Sequence, residues 1–196
     1  MSNGLQVKKR KGNYEPLDLE KMHKMVEEAT EGLAGTSASQ VEMQSGIQFY
    51  DGITTEEIQE ILIKSASDLI DLDHPNYQYV AARLLLFSIR KKIYGNGRKK
   101  VTIPSLIDHI TKEAYADHYD KDIFIKYSKE EIEKVGTWVE HDRDLLFTYA
   151  GLRQVVDKYL VQDRSTGDHY ETPQFMYIMI ALTIFAEYPK ETRLNY

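Results

Sequence analysis

Apolar residues recur at helical spacing along most of this chain, and this periodicity restricts it to a mainly α-helical fold. Four helices are predicted in the first half, each bounded by a capping residue, a glycine or a proline. Thr54 with Glu57, and Ser39 with Glu42, have the spacing of capping boxes. Ahead of the helices, two short strands around a glycine turn predict a β-ribbon. The strands are expected at residues 6–10 and 14–17, and the helices at about residues 18–34, 39–50, 54–73 and 76–94.

A segment rich in glycine and basic residues interrupts the pattern at residues 95–100. It contains two glycines and then a basic run without any apolar residue, a composition typical of a linker. We therefore predict a first domain at residues 1–95, a linker at 96–103 and a second, mostly helical domain at 104–196. Pro173 suits the first position of the last helix. Four earlier helices are expected at residues 104–115, 121–126, 129–136 and 139–158, with one small hairpin around residues 163–168.

Composition excludes several classes of function. None of the 196 residues is cysteine, so disulfides, thiolate metal sites and cysteine catalysis are excluded for this chain. Residues 101–196 contain 11 Lys and Arg against 17 Asp and Glu, which accounts for the net charge of −6. Nucleic acid is not expected as a partner, because phosphate backbones attract basic surfaces. No apolar run approaches the roughly 20 residues that span a bilayer, so we expect a cytoplasmic protein without a membrane partner.

The strongest candidate for a binding site is a basic segment near the start of the chain. Strand alternation places Lys9 and Arg10 on opposite sides of the first strand. Lys21 follows one turn into the next helix, beside its positive N-terminal end. Cations near exposed helix amides suit a polyphosphate. Composition alone favours a solvated basic hairpin instead, since charge runs are usually exposed faces.

The order and spacing of several motifs resemble a known regulatory domain. Residues 7–21 resemble the opening of the ATP-cone, which stands at the N-terminus of many ribonucleotide reductases. The same resemblance continues through residues 48–55, 75–83 and 90–95. The second half is similar to the large subunit of the aerobic class I enzymes of enteric bacteria and their phages. The motifs that carry this second similarity are residues 140–144, 147–149, 158–161 and 171–175.

The resemblance implies a nucleotide site and a role for each residue in it. The effector would be ATP or dATP with Mg²⁺. Cations would bind the triphosphate, a backbone group would contact the base, and polar side chains would contact the adenine and the sugar. The residues implied are Lys9, Arg10 and Lys91 for the triphosphate, Lys21 in support, Val7 for the base, Glu15 and Asp18 for the adenine and sugar end, and Thr55 for a further hydrogen bond.

Three positions depart from the pattern of close relatives. Asp18 stands where they have Asn, and a carboxylate only accepts hydrogen bonds whereas an amide also donates. Gln59 stands where they have His, and it cannot add positive charge. Both changes predict weaker binding of an anionic nucleotide. Glu28 replaces a Trp that helps some relatives hold a second nucleotide, so a second nucleotide is not expected.

The resemblance also implies partners and leaves alternatives. The first hypothesis is an allosteric module that regulates the overall activity of ribonucleoside-diphosphate reductase. Its partners would be the rest of the large subunit, the radical-storing small subunit and further copies of the chain in an oligomer. The alternative is the N-terminal piece of a split reductase that serves mainly for docking. A third possibility, a transcriptional repressor with an ATP-cone, requires a cysteine-ligated zinc ribbon that this chain lacks.

The chain alone is expected to be inactive as a reductase. Ribonucleotide reduction needs a thiyl radical and a redox-active cysteine pair, and the family's catalytic barrel would begin after Tyr196. We therefore expect a part of a larger subunit or one piece of a split one. His141 lies between two acidic residues, but adjacent residues do not share a helix face, so a metal site is not expected there.

Overall fold

The computed structural model describes residues 5–9 and 12–195, and its fold is mainly helical, as predicted. Strands β1 Gln6–Lys8, β2 Tyr14–Pro16 and β3 Ile53–Thr54 form one sheet, and β4 Gln162–Asp163 with β5 Asp168–His169 forms the expected hairpin. The α-helices are α1 Leu19–Thr30, α2 Ala38–Gly46, α3 Thr55–Asp68, α4 Tyr77–Tyr94, α5 Leu106–Tyr115, α6 Ile123–Lys126, α7 Lys129–Gly136, α8 Tyr149–Lys158 and α9 Pro173–Ile184. Two 3-10 helices span His141–Leu146 and Arg193–Asn195.

The first sheet contains a strand that the sequence did not predict. Strand β1 pairs with β2 in antiparallel fashion and with β3 in parallel, in the order β2-β1-β3. Gly52 turns the chain into β3 with a φ of 85°, a backbone conformation that favours glycine. Its N–H donates to the carbonyl of Gln6 at 2.9 Å. This pairing fixes the start of α3 beside the end of β1.

Local capping signals predicted most helix starts correctly. Asp18 accepts a hydrogen bond from the Lys21 N–H at 2.9 Å, which confirms it as the N-cap of α1. The Thr54–Glu57 capping box is present in both directions. The predicted box at Ser39 is wrong, because α2 already begins at Ala38 and the Glu42 carboxylate pairs with His23 instead.

The prediction of one helix over residues 139–158 is also wrong. A 3-10 helix is followed by a break at Phe147, and α8 then starts anew. The Thr148 hydroxyl accepts from the Gly151 N–H at 3.2 Å and so caps α8. A capping threonine in an apolar run is the signal that could have predicted this break.

Two apolar cores support the fold. Helix α4 is central to the first, since it packs against α1, α3, α8 and the first 3-10 helix. Leu152 and Val156 of α8 belong to the same core as Val26 of α1 and Leu86 of α4. The second core joins α5, α7 and α9. The first core therefore extends past residue 95, while the domain boundaries given above stay a prediction.

Within residues 5–9 and 12–195, no helix is both long and apolar enough to cross a membrane.

A buried histidine in the second core predicts a pH dependence of stability. His109 stacks on Phe175 with ring centroids 4.3 Å apart and hydrogen bonds to the Tyr119 hydroxyl at 3.1 Å. Burial lowers the pKa of His109 to about 4. The neutral ring therefore stabilises the fold fully above the unfolded-state pKa of roughly 6.5, and this contribution is lost as the pH falls toward 4.

We expect His109→Gln to reduce this loss of stability. Between pH 7 and pH 5 the free energy of unfolding of the variant should fall by about 1–2 kcal/mol less than that of the wild type. Urea titrations at the two pH values measure the difference, and His74→Gln, at an exposed position, is the control. An equal decline in wild type and variant would contradict a neutral, buried His109.

Candidate functional site

A cavity open to solvent lies where the first sheet, α1, α3 and the end of α4 meet. Its volume is about 100 Å³, below the ~300–1,000 Å³ of typical small-molecule sites, so a ligand of nucleotide size would extend out of it into solvent. Seven of the residues predicted to bind a nucleotide line this cavity, which are Val7, Lys9, Asp18, Lys21, Thr55, Gln59 and Lys91.

Strand pairing explains how residues far apart in the sequence meet in this cavity. The parallel register places Val7 opposite Ile53 and Lys8 opposite Thr54. Lys9 follows directly after β1 and Thr55 directly after β3, and both line the cavity. Thr55 is also the first residue of α3. The unpredicted strand β3 is therefore the element that aligns these two side chains.

Positive charge dominates the lining of the cavity. Three lysines, Lys9, Lys21 and Lys91, line it together with one carboxylate, that of Asp18. The N-terminal ends of α1 and α3 also meet here, since Asp18 caps α1 and Thr55 begins α3. The exposed amides of helix N-termini carry partial positive charge and favour anions. The arrangement suits a ligand with several negative charges.

Asp18 has a structural role besides its place in the cavity. Its Oδ1 accepts the Lys21 N–H, so one of its oxygens is already occupied by the helix cap. An Asn side chain caps a helix about as well as Asp. The negative charge of Asp18 is therefore not needed for the fold and remains unfavourable for an anionic ligand.

Among the described residues that were predicted, Glu15 does not line the cavity. Glu15 lies on exposed β2, and its Oε2 is 3.2 Å from the Nζ of Lys9. Hydrogen bonding and charge from Lys9 lower the pKa of Glu15. Glu15 thus contacts the site through Lys9, and its predicted role toward adenine stays a prediction. Arg10 lies outside the described residues.

The other side of the cavity is apolar. Gln59 is buried, and its Nε2 lies 3.8 Å from the Sδ of Met25. The apolar residues of this side were not predicted as part of the site, because methionine and leucine at helical spacing usually indicate core packing. The apolar side chains that line the cavity with Val7 are Leu17, Met22, Met25 and Ile58.

A second cavity lies beside α9 and has a different character. It is larger, about 400 Å³, and most of its lining is apolar. Its charged lining comprises the carboxylates of Asp120, Asp122 and Glu171 and one lysine, Lys126. Net negative charge does not suit a polyphosphate, so size alone does not identify the nucleotide site.

Among the described residues, no group of three or more His, Asp or Glu side chains is arranged to hold a metal ion.

Comparison with known proteins agrees with this geometry. Residues 5–92 match the ATP cone domain family, and residues 145–195 match the all-alpha domain family of ribonucleotide reductase. Over all 196 residues the chain is 47% identical to the Ribonucleoside-diphosphate reductase 1 subunit alpha of Escherichia coli K12. The chain belongs to the ribonucleoside-diphosphate reductase alpha-subunit family.

Two further relatives support the same assignment. The alpha subunit of Haemophilus influenzae is 45% identical over the whole chain. That of Enterobacteria phage T4 is 41% identical over 187 residues, 94% of this chain and 24% of the phage protein. The chain covers 25% of the Escherichia coli and Haemophilus proteins, so it spans about a quarter of the length of these relatives.

The matches place the cavity inside the regulatory part of this family. Every residue of its lining falls within residues 5–92, the ATP-cone. The ATP-cone is a nucleotide-binding regulatory module, so this chain carries such a module of ribonucleotide reductase. The chain contains no cysteine and therefore lacks the thiols that reduction of a ribonucleotide requires.

Proposed function

We propose that this chain binds ATP or dATP, with Mg²⁺, as an allosteric effector that regulates the overall activity of a ribonucleoside-diphosphate reductase. The observation that carries the proposal is the convergence of three lysines and two helix N-termini on one cavity of the ATP-cone. Regulation of this kind requires that the effector bind two states of the enzyme with different free energies.

The residues present fit a nucleoside triphosphate. Lys9, Lys21 and Lys91 would bind the phosphate oxygens through charge-assisted hydrogen bonds. The apolar side, with Leu17 and Ile58, would cover the flat base. Mg²⁺ usually binds through substrate phosphates rather than a protein cage, so the ion would arrive with the triphosphate.

The partners and the cellular location of the chain are also proposals. The relatives are alpha subunits about four times as long, so we infer that this chain works with the remaining part of such a subunit. We further propose a cytoplasmic reductase in which the large subunit associates with the small subunit and with further copies of itself. The chain itself would contribute nucleotide sensing and not reduction.

The lysines provide the first test of the nucleotide site. Lys9→Ala and Lys91→Ala should each weaken binding of Mg-ATP by about 1–3 kcal/mol, the size of a hydrogen bond to a charged group. Isothermal titration calorimetry measures both. Lys64→Ala on α3 is the matched control, since Lys64 is exposed and pairs with Asp68 away from the cavity.

Two results would contradict the proposal. Equal losses in all three lysine variants would indicate diffuse electrostatic attraction instead of a specific site. If neither ATP nor dATP gives heat of binding or a thermal shift with the wild type, the chain has no working nucleotide site.

The departures from close relatives provide a second test. Asp18→Asn should tighten ATP binding with an unchanged melting temperature, because Asn keeps the cap and removes a negative charge. Gln59→His should tighten it more at pH 6 than at pH 8, because a histidine beside bound phosphates gains positive charge as the pH falls. Affinity and melting temperature of each single variant separate the effects. Unchanged affinity in both would mean that neither position contacts the ligand.

A second candidate function rests on the outer face of α9. This helix contains no charged residue, yet Tyr177, Ile180 and Ile184 are exposed on it. A helix that is apolar on every side is normally buried. The face would suit docking onto the catalytic part of a reductase, as in a split large subunit.

Docking through α9 can be tested by co-expression with the remaining part of a reductase alpha subunit. Ile180→Asp should reduce co-purification of the two pieces strongly, because it places a charge in an apolar contact. Leu72→Asp is the control, since Leu72 is exposed in the ATP-cone, away from α9. Co-purification that is unaffected by Ile180→Asp would place the docking surface elsewhere.

A further inference from the structure

Residues 97–99, within the predicted linker, lie against the two helices that carry two of the cavity lysines. We call these residues the strap. Gly95 ends α4 with a φ of 76°, so the chain turns back over the last turns of that helix. Lys91 is in the last turn of α4, and Lys21 is in the first turn of α1. The strap contacts both helices.

Gly97 holds the strap tightly against α4. A Cβ added at Gly97 would collide with the carbonyl oxygen of Phe87 and would lie 2.8 Å from the Cβ of Lys91. Contacts this short do not occur between real side chains, so only glycine fits here. The strap therefore touches the same residue whose side chain lines the nucleotide cavity.

Two ion pairs hold the strap against α1. The Arg98 guanidinium binds the Glu28 carboxylate through two hydrogen bonds, with Nε 2.8 Å from Oε2. The backbone N–H of Lys99 donates to the same Oε2 at 3.1 Å. The Nζ of Lys99 lies 2.8 Å from the Oε2 of Glu31. The Arg98 and Glu28 side chains are only partly buried, with 33% and 28% of their surface exposed, and the two-hydrogen-bond geometry makes this pair stronger than an ordinary surface pair.

A third contact joins the strap to α4. The carbonyl of Lys99 accepts a hydrogen bond from buried Arg90, the residue next to Lys91, at 3.4 Å. The strap is thus attached to α1 through Glu28 and to α4 through Gly97 and Arg90. The strap therefore links the C-terminal end of α1 to the last turns of α4.

On the basis of the proposed function, we propose that Glu28, Gly97 and Arg98 are positioning residues for the nucleotide cavity. They set the distance between α1, which carries Lys21, and α4, which carries Lys91. Lys21 and Glu28 are seven residues apart on one helix, or about 10 Å along its axis. A rigid helix transmits a tilt over that distance, so release of the strap would separate cations that must bind one ligand.

The coupling between the strap and the bound nucleotide must be reciprocal. If the strap favours the arrangement that binds the nucleotide, the nucleotide must stabilise the strap by the same free energy. The amide of Lys99, which donates to Glu28, is a reporter of that stabilisation. Bound nucleotide should slow its hydrogen exchange, although Lys99 is not among the residues that line the cavity.

The test compares Mg-ATP binding by the full chain and three variants. Glu28→Gln removes the charge of the ion pair, and Gly97→Ala displaces the strap by a different route. Both should weaken binding at least about fivefold, the lower end of coupling between sites. Asp157→Asn is the matched control, because it removes the carboxylate of an exposed ion pair with Arg153 on α8. Binding is measured by calorimetry, and hydrogen exchange of the Lys99 amide by NMR with and without Mg-ATP.

The possible outcomes separate this inference from the proposed function. Weaker binding by both strap variants but not by Asp157→Asn, with nucleotide-dependent protection of Lys99 in the wild type, supports positioning. Unchanged affinity in both strap variants, or no protection of Lys99 while the wild type binds, overturns the strap and leaves the nucleotide site intact. Absence of binding by the wild type overturns the proposed function and this inference with it.

Discussion

Burial of helix α4 is the constraint on which the rest of the structure depends. Its 18 residues pack against α1, α3, α8 and the first 3-10 helix. Two arginines of α4 also hydrogen bond to neighbouring backbone. Buried Arg90 donates to the carbonyl of His141 at 2.8 Å, and Arg83 donates to the carbonyl of Glu31 at 2.7 Å. Because these guanidiniums satisfy main-chain oxygens, α4 joins its neighbours by hydrogen bonds as well as by apolar contact.

The lysine-lined cavity combines this helix with the short strands of the first sheet, which are weak alone. A strand of three residues, such as β1, has little stability of its own and needs partners on its edges. Pairing with β3 supplies one partner and places Lys9 beside Thr55. The cavity is therefore assembled by pairing between residues more than 40 positions apart. A change that shifts the register of β1 would move its side chains to the opposite face.

The sequence predicted those features whose signals are local. Asp18 and Thr54 mark helix starts because each side chain caps the helix beside it. Strand β3 and the packing of Gly97 were not predicted, because both depend on residues distant in the sequence. The cavity residues were predicted from the family resemblance, and the structure brings seven of them together. Their apolar neighbours, such as Met25, look like ordinary core residues in the sequence.

The packing of α8 on α4 has a consequence for how the regulatory unit could be exchanged between proteins. A transplant that ended at Gly95 would carry α4 without Leu152 and Val156, which share its core. The surface of α4 that they cover would become exposed to solvent, and α4 would need a new apolar neighbour in the recipient protein. Grafting the sensor into another enzyme therefore means grafting a helix interface as well, and the natural cut lies after α8 rather than at the glycines.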